Sequence, residues 1–216
     1  MNEQKRERID LYDKESNPLG RTIFRGERIP EGEYCLVVQI WLRNSQGNYL
    51  IQKRAETVRV WPGFWATTAG VVSTGETPLM GAVRELAEEM GITAVSTEFH
   101  QLFQYLRGRA INTAWLVEKE ITLADVTLQP EEVSDVMWAS ANEIRQMVAA
   151  GTFYDYGDSL LACCAVHCTA PFAAQALPRT AQQASKRRSK QASGAASKQA
   201  AQQARKRRSS ARNVRT

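Results

Sequence analysis

GVVSTGETPLMGAVRELAEEMGI, residues 70 to 92, places four glutamates in an otherwise small and apolar stretch. Thr77 suits a helix N-cap, Pro78 the first helical position and Gly91 the C-terminal stop, so the spacing predicts one helix between them. Leu79, Val83, Leu86 and Met90 fall at i, i+4, i+7 and i+11 and form an apolar stripe that must pack against something. Glu85, Glu88 and Glu89 fall at i, i+3 and i+4 and share a patch on roughly the opposite side. Like charges at that spacing cost a few tenths of a kcal/mol per pair on a bare helix, and only Arg84 lies alongside to relieve them. A solvated acidic face is one reading. A hard cation held by carboxylate oxygens (magnesium, manganese or calcium) makes better sense of a cluster that repels itself.

The run-up to the helix excludes a competitor. Gly70 and Gly75 have the GxxxxG spacing of a phosphate-cradling loop, but that motif needs Lys-Ser/Thr next and Glu76-Thr77 follows. Taken whole, Gly70, Glu76, Arg84, Glu85, Leu86, Glu88, Glu89, Gly91 and Ile92 stand at the spacing Gx5Ex7REUxEExGU, with U a bulky aliphatic. This resembles the Nudix box at every specified position. The resemblance implies an α/β/α sandwich with a mixed sheet and a loop–helix–loop that holds Mg²⁺ or Mn²⁺. It also implies hydrolysis of a diphosphate linked to another group, as in a nucleoside-diphosphate-linked or related small molecule. The implied metal ligands are Glu85, Glu88, Glu89 and the Gly70 carbonyl. The general base is one of the box glutamates, or Glu131 or Glu132 ahead of the last strand; Glu88, Glu89 and Glu132 head the catalytic set. Arg84 joins that set by orienting the box carboxylates through charge-assisted hydrogen bonds. Lys53, Arg54 and Arg59 are candidates to hold the substrate's phosphates, with a surface role on an edge strand as the alternative. Trp61, Phe64 and Trp65 fit core packing better than base stacking.

Upstream of the box, DLYDKESNPLGRTIFRGERIPEGEYCLVVQIWL resembles the N-terminal part of isopentenyl-diphosphate isomerases, a branch of the same superfamily. With the box and WPGFW the likeness covers residues 8–140. That isomerase needs a histidine-rich metal site and a catalytic cysteine, and the corresponding positions here are Cys35, Ala69 and Val71. The chain has two histidines, His100 and His167, neither near those positions. Isomerase-like ancestry with a hydrolytic site is therefore the reading, and isopentenyl-diphosphate isomerisation is the alternative function. A non-catalytic module that kept the fold is the third, and the intact glutamates argue against it.

The remaining sequence sets boundaries. The 216 residues suffice for one domain with a real core plus a spare segment. The net charge of +5 hides two halves: residues 1–172 carry 16 Lys/Arg and 23 Asp/Glu, residues 173–216 carry 12 Lys/Arg and no acid. An anionic body must attract a phosphate substrate through metal and a few placed cations. The basic segment repeats AQQASKRRS (181–189) as AQQARKRRS (201–209) and has almost nothing large and apolar, so disorder and at most weak, non-specific polyanion binding are expected of it. No secretory signal or membrane span is read, and four cysteines without a disulfide spacing suggest a reducing cytoplasm. CCAVHC (163–168) fits buried small residues better than a zinc site. Strands are expected at 34–42, 49–53, 67–72, 98–106, 113–118 and 136–139, and helices at 142–149 and 158–167.

Overall fold

The computed structural model describes residues 7–156. Strands β1 (Arg8–Tyr12) and β2 (Pro18–Phe24) form a separate antiparallel hairpin. Then follow β3 (Cys35–Arg43), β4 (Tyr49–Arg54), β5 (Trp65–Ala66), β6 (Thr68–Val71), α1 (Pro78–Met90), β7 (Phe99–Arg107), β8 (Ala110–Glu118), β9 (Val133–Ala139) and α2 (Ala141–Ala149). The last seven strands make one mixed sheet in the order β5-β4-β3-β8-β7, with β6 also on β3 and β9 on β4.

Strand β3 organises the sheet because CLVVQIWLR is apolar on both faces and so belongs between two layers. One edge pairs in parallel with β8 over its whole length, from Cys35↔Ala110 to Arg43↔Glu118. Its other edge is shared: β6 takes Val37 to Ile40, and β4 touches only Leu42 and Arg43 before turning away to pair with β9 and β5. That divergence opens the sheet between β4 and β6, and the site lies there. Strand alternation separates two cores. Leu36, Val38, Ile40 and Leu42 pack with Ala82, Leu86 and Met90 of α1. Trp41, Tyr49, Ile51, Ala114 and Leu116 pack with Ile144 of α2 and with Phe153 and Tyr156. Helix, sheet and helix form three layers, the expected α/β/α sandwich.

Most strands fall within a residue or so of expectation. Strand β8 starts three residues earlier than expected, because Gly108 (φ 60°) and Arg109 alone connect Arg107 to Ala110. The last strand also starts three residues earlier, at Val133. The β1–β2 hairpin was not expected from sequence. Its strands are short and carry Arg8, Asp10 and Arg21, and its turn is built by Asp13, whose carboxylate accepts from the backbone of Glu15 and Asn17. The helix expected at 158–167, the CCAVHC run and the basic segment 173–216 lie outside the described residues. Among the described residues no helix is long and apolar enough to cross a membrane.

Candidate active site

Helix α1 starts and stops on the expected signals. Thr77 accepts from the Met80 N–H at 3.2 Å, and Gly91 ends the helix in the left-handed region at φ 66°. The apolar stripe is present, with Leu86 and Met90 buried and Leu79 and Val83 packed against the same core. The acidic patch is not the solvated face that helical spacing allowed. Glu85 and Glu89 are 6% and 2% exposed, flanking Gly81 and Ala82 at the edge of the buried face. Those small residues let the helix approach: a Cβ at Gly81 would stand 3.3 Å from the Val72 side chain. Only Glu88 faces water.

Arg84 makes the charge-assisted hydrogen bonds to the box carboxylates that the sequence suggested, and so relieves the glutamates more fully than helical spacing alone allowed. Its Nε and Nη2 donate to Glu76 at 2.8 and 3.0 Å, and Nη2 also donates to the Val71 carbonyl at 3.0 Å. Its Nη1 donates to Glu85 at 2.8 Å and Glu88 at 2.9 Å. All five guanidinium N–H groups are thereby spent on protein oxygens, which leaves Arg84 no donor for a substrate. Glu76 is held below the usual carboxylate range by this arginine, and also accepts from the Ser73 N–H. A lysine cannot reproduce the fork. Arg84→Lys is therefore expected to lower activity about 10–100-fold, the usual size for a group that orients the carboxylates of a site, with a melting temperature within a few degrees of wild type. Wild-type kcat in that variant would show the fork is dispensable.

Glu89 sits deepest. Its Oε2 accepts from Gln52 Nε2 at 2.8 Å, and Gln52 is itself 1% exposed. Burial pushes the Glu89 carboxyl up to about 8, helped by the charges of Glu85 and Glu132 and opposed by Gln52 and Arg54. Burial likewise raises Glu85 to about 6, against the pull of Arg84 and Arg25. Glu132 reaches the cluster because its segment docks on the helix end: Thr127 and Gln129 donate backbone N–H groups to the carbonyls of Met90 and Glu89. Glu131, the alternative to Glu132, is exposed and is not part of the cleft lining. An open cleft of about 290 Å³ gathers Glu85, Glu88, Glu132, Arg84 and two residues missed in sequence, Glu7 and Arg25. A larger cleft of about 380 Å³ between β9 and α2 has one carboxylate, Glu143, which is occupied in capping Ser140. Volume does not locate this site; the carboxylates do.

The expected phosphate-binding trio separates. Arg54 lies on the same face of β4 as Gln52, bears electrostatically on Glu89, and donates to the Val60 carbonyl at 2.8 Å. Lys53 projects from the opposite face, the one shared with Tyr49 and Ile51 and covered by α2, because successive side chains of a strand alternate. It is corrected out of the site. Arg59 is exposed, with Nη1 beside Gly26 in the turn after β2. Trp61 is not core: it is 48% exposed, holds φ 52°, and meets Phe64 and Tyr154 edge-on. Gln52 and Arg25 had no local motif. Only alternation from Arg54 pointed to Gln52, and nothing in the sequence places the hairpin carrying Arg25.

Strand β6 divides the two chemistries that the sequence suggested. Gly70 faces α1, and a Cβ there would lie 2.0 Å from the Glu85 carboxyl carbon. Ala69 and Val71 face the other way, opposite Gln39 and Val37, on the face that also carries Cys35. The isomerase positions therefore form a separate patch behind the sheet, and there burial raises the Cys35 thiol. The donor set on the α1 face is all oxygen, buried at Glu85 and Glu89 and mutually repelling, which fits a hard divalent cation. In this arrangement no three acidic, histidine or cysteine side chains among the described residues converge on one point; Glu85 and Glu88 are paired to Arg84 and Glu89 to Gln52.

The family model of the NUDIX domain matches residues 33–157. An uncharacterised Nudix hydrolase of Listeria monocytogenes is 34% identical over 151 residues, 69% of this chain and 89% of that protein. An isopentenyl-diphosphate Delta-isomerase of Citrobacter koseri is 27% identical over 152 residues, 67% of this chain and 83% of that enzyme. Among solved structures, a Deinococcus radiodurans protein shares the fold with a TM-score of 0.61 at 23% identity, covering 76% of this chain and all of that one. The MutT protein of Methanosarcina mazei superposes with a TM-score of 0.50 at 26% identity, covering 63% of this chain and 96% of its own.

Proposed function

The chain belongs to the Nudix hydrolase family, and from that premise we propose that it cleaves a diphosphate linkage in a nucleoside-diphosphate-linked or related small molecule with Mg²⁺. The observation that carries this reading is the burial of Glu85 and Glu89 beside Gly70, with Glu132 facing them from another segment. Glu85, Glu88, Glu89 and the Gly70 carbonyl would hold Mg²⁺, and Mn²⁺ would suit the same oxygens. What the ion supplies when bound is charge neutralisation at the phosphate and a water of lowered pKa. The chain's own part follows from geometry. Gln52 fixes the Glu89 carboxylate, and Arg84 holds Glu85 and Glu88 in register with Glu76. Glu132, half-buried and outside the helix, lines the cleft with no hydrogen bond to its carboxylate among the described residues, whereas Glu88 is held by Arg84. It is the carboxylate left to take the proton of a water as general base. Glu132→Gln is expected to lower kcat about a hundredfold or more while metal affinity changes little. Unchanged kcat would move the base to another carboxylate.

The metal-binding reading also has a pH signature. A carboxyl whose folded pKa is raised stabilises the fold fully below its unfolded value and loses that contribution as pH rises through the folded value. With Glu85 near 6 and Glu89 near 8, protein held in chelator should lose several degrees of melting temperature between pH 5 and pH 8.5. Saturating Mg²⁺ should restore most of that loss at pH 8.5 and little at pH 5. Equal Mg²⁺ effects at both pH values would remove these glutamates from the metal site.

Turnover on a panel of nucleotide sugars, dinucleoside polyphosphates and nucleoside triphosphates, with Mg²⁺ and then Mn²⁺, tests the assignment. No cleavage of any member with either ion would overturn it. Isomerisation of isopentenyl diphosphate is not expected even with zinc supplied, because Cys35, Ala69 and Val71 leave the rear face without its histidines and nucleophile. Dimethylallyl diphosphate above a no-enzyme control, seen by NMR, would restore that alternative.

A further inference from the structure

We propose that Arg25 is the residue that grips the substrate's phosphates, which makes the β1–β2 hairpin a working wall of the active site. This rests on the hydrolase reading and adds the residue and element that recognise the diphosphate. Two guanidinium groups line the cleft. Arg84 has spent its five donors on Glu76, Glu85, Glu88 and Val71. Arg25 has not: among the described residues its side chain makes one ion pair, Nη1 to Glu7 Oε2 at 2.8 Å, and is 46% exposed. The charges of Glu132 and Glu85 also act on it, so the guanidinium stands beside the carboxylates that would hold the metal.

The hairpin is tied to the box loop and does not merely hang beside it. Glu7 divides its carboxylate, Oε2 to Arg25 and Oε1 to the Ser73 hydroxyl at 2.6 Å. Thr74 N–H donates to the Arg8 carbonyl at 2.8 Å, and Gly75 N–H to Asp10 Oδ2 at 3.0 Å. The Arg25 backbone N–H donates to the Glu7 carbonyl at 2.8 Å, closing the two strands at that end. Arg25 therefore stands at a fixed height over the residues that precede α1. The cleft lining carries Glu7, Glu85, Glu88 and Glu132 against two arginines, so it repels a free polyphosphate until cations are placed in it. A guanidinium with unspent donors is the group suited to two phosphate oxygens at once. Glu7 parks it there when no phosphate is present.

Calorimetric binding of inorganic pyrophosphate with saturating Mg²⁺ reads this directly, without turnover. Arg25→Ala should weaken binding 10–100-fold and raise KM for the panel substrate by a similar factor, with kcat within about threefold; Arg25→Lys should recover part of the loss. Glu7→Gln separates the clamp from a structural ion pair. As a clamp, Arg25 survives loss of its parking partner and Glu7→Gln binds pyrophosphate within about threefold of wild type. As a strut only, Arg25→Ala and Glu7→Gln weaken binding equally. Equal weakening, or pyrophosphate held as tightly by Arg25→Ala as by wild type, overturns the proposal while wild-type turnover leaves the hydrolase reading standing. A wild-type protein that neither binds pyrophosphate nor cleaves any panel member overturns both.

Discussion

Glu89→Gln should lower kcat by at least about a hundredfold while the protein folds normally. Glu89 is the most deeply buried carboxylate of the cluster, and burial has raised its pKa to about 8. Holding that group ionised costs free energy unless a cation is beside it. The glutamine keeps the shape and can still accept from Gln52 through its amide oxygen, but it offers a metal no charge. Loss of function and gain of stability are therefore expected together. In chelator at pH 8.5, Glu89→Gln should melt no lower than wild type, because the uncompensated buried charge is gone. The same substitution should flatten the pH dependence of the melting temperature and weaken the Mg²⁺-induced rise. Glu88→Gln should lower kcat in the same direction by less, since Glu88 is half-exposed and, among the described residues, bound by Arg84 alone. Near wild-type turnover in both variants at saturating Mg²⁺ would refute the metal assignment.

The difference between Glu88 and Glu89 was only partly legible in the sequence. Helical spacing put Glu85, Glu88 and Glu89 on one patch and caps placed the helix ends, because both signals are local. Spacing on an isolated helix cannot say which side of that patch meets the sheet. Gly81 and Ala82 decide it, by letting α1 close on Val72 so that Glu85 and Glu89 are drawn under while Glu88 stays out. The same limit explains Lys53. Basic residues in QKR look interchangeable in the sequence, yet strand alternation assigns Gln52 and Arg54 to the α1 face and Lys53 to the α2 face. Knowing which face is which requires the pairing of β4 with β9 and β5, a non-local fact. The sandwich was legible because β3 is apolar on both faces and so demands a layer on each side. Arg25 and Glu7 were not: β1 alternates, with Ile9 and Leu11 buried, but Glu7 and Arg25 lie just outside the strands and are brought to the site by non-local ties to Ser73, Thr74 and Gly75.

Gly70→Ala should be nearly as damaging as Glu89→Gln, for a reason that is wholly geometric. Gly70 is absent from the residues with positive φ, so its backbone conformation is open to any residue and strain is not the issue. Contact is. An alanine Cβ would lie 2.0 Å from both the carboxyl carbon and Oε1 of Glu85, and 2.5 Å from Oε2. Something must move, and two candidates exist. The backbone of β6 is pinned by its pairing with β3 from Val37↔Val71 to Ile40↔Thr68. The Glu85 carboxylate is the free end of a side chain, restrained by one hydrogen bond from Arg84 at 2.8 Å. The carboxylate gives way. Displacing it by an ångström or more takes away a ligand position and pulls on Arg84, which also holds Glu76 and Glu88, so the disturbance spreads through the whole charged set. The core beneath, Leu86 and Met90 against Val38 and Ile40, is untouched. Gly70→Ala should thus keep a cooperative melt within a few degrees of wild type, bind Mg²⁺ more weakly, and lose about a hundredfold in kcat. Gly75→Ala serves as the control: it has open space around its Cβ, so any loss there reports its φ of 83° alone and should appear as lower stability with Mg²⁺ affinity retained. A Gly70→Ala protein that unfolds would mean β6 yields before Glu85 does, and one with full activity would mean that the Glu85 carboxylate need not lie against the Gly70 backbone for catalysis.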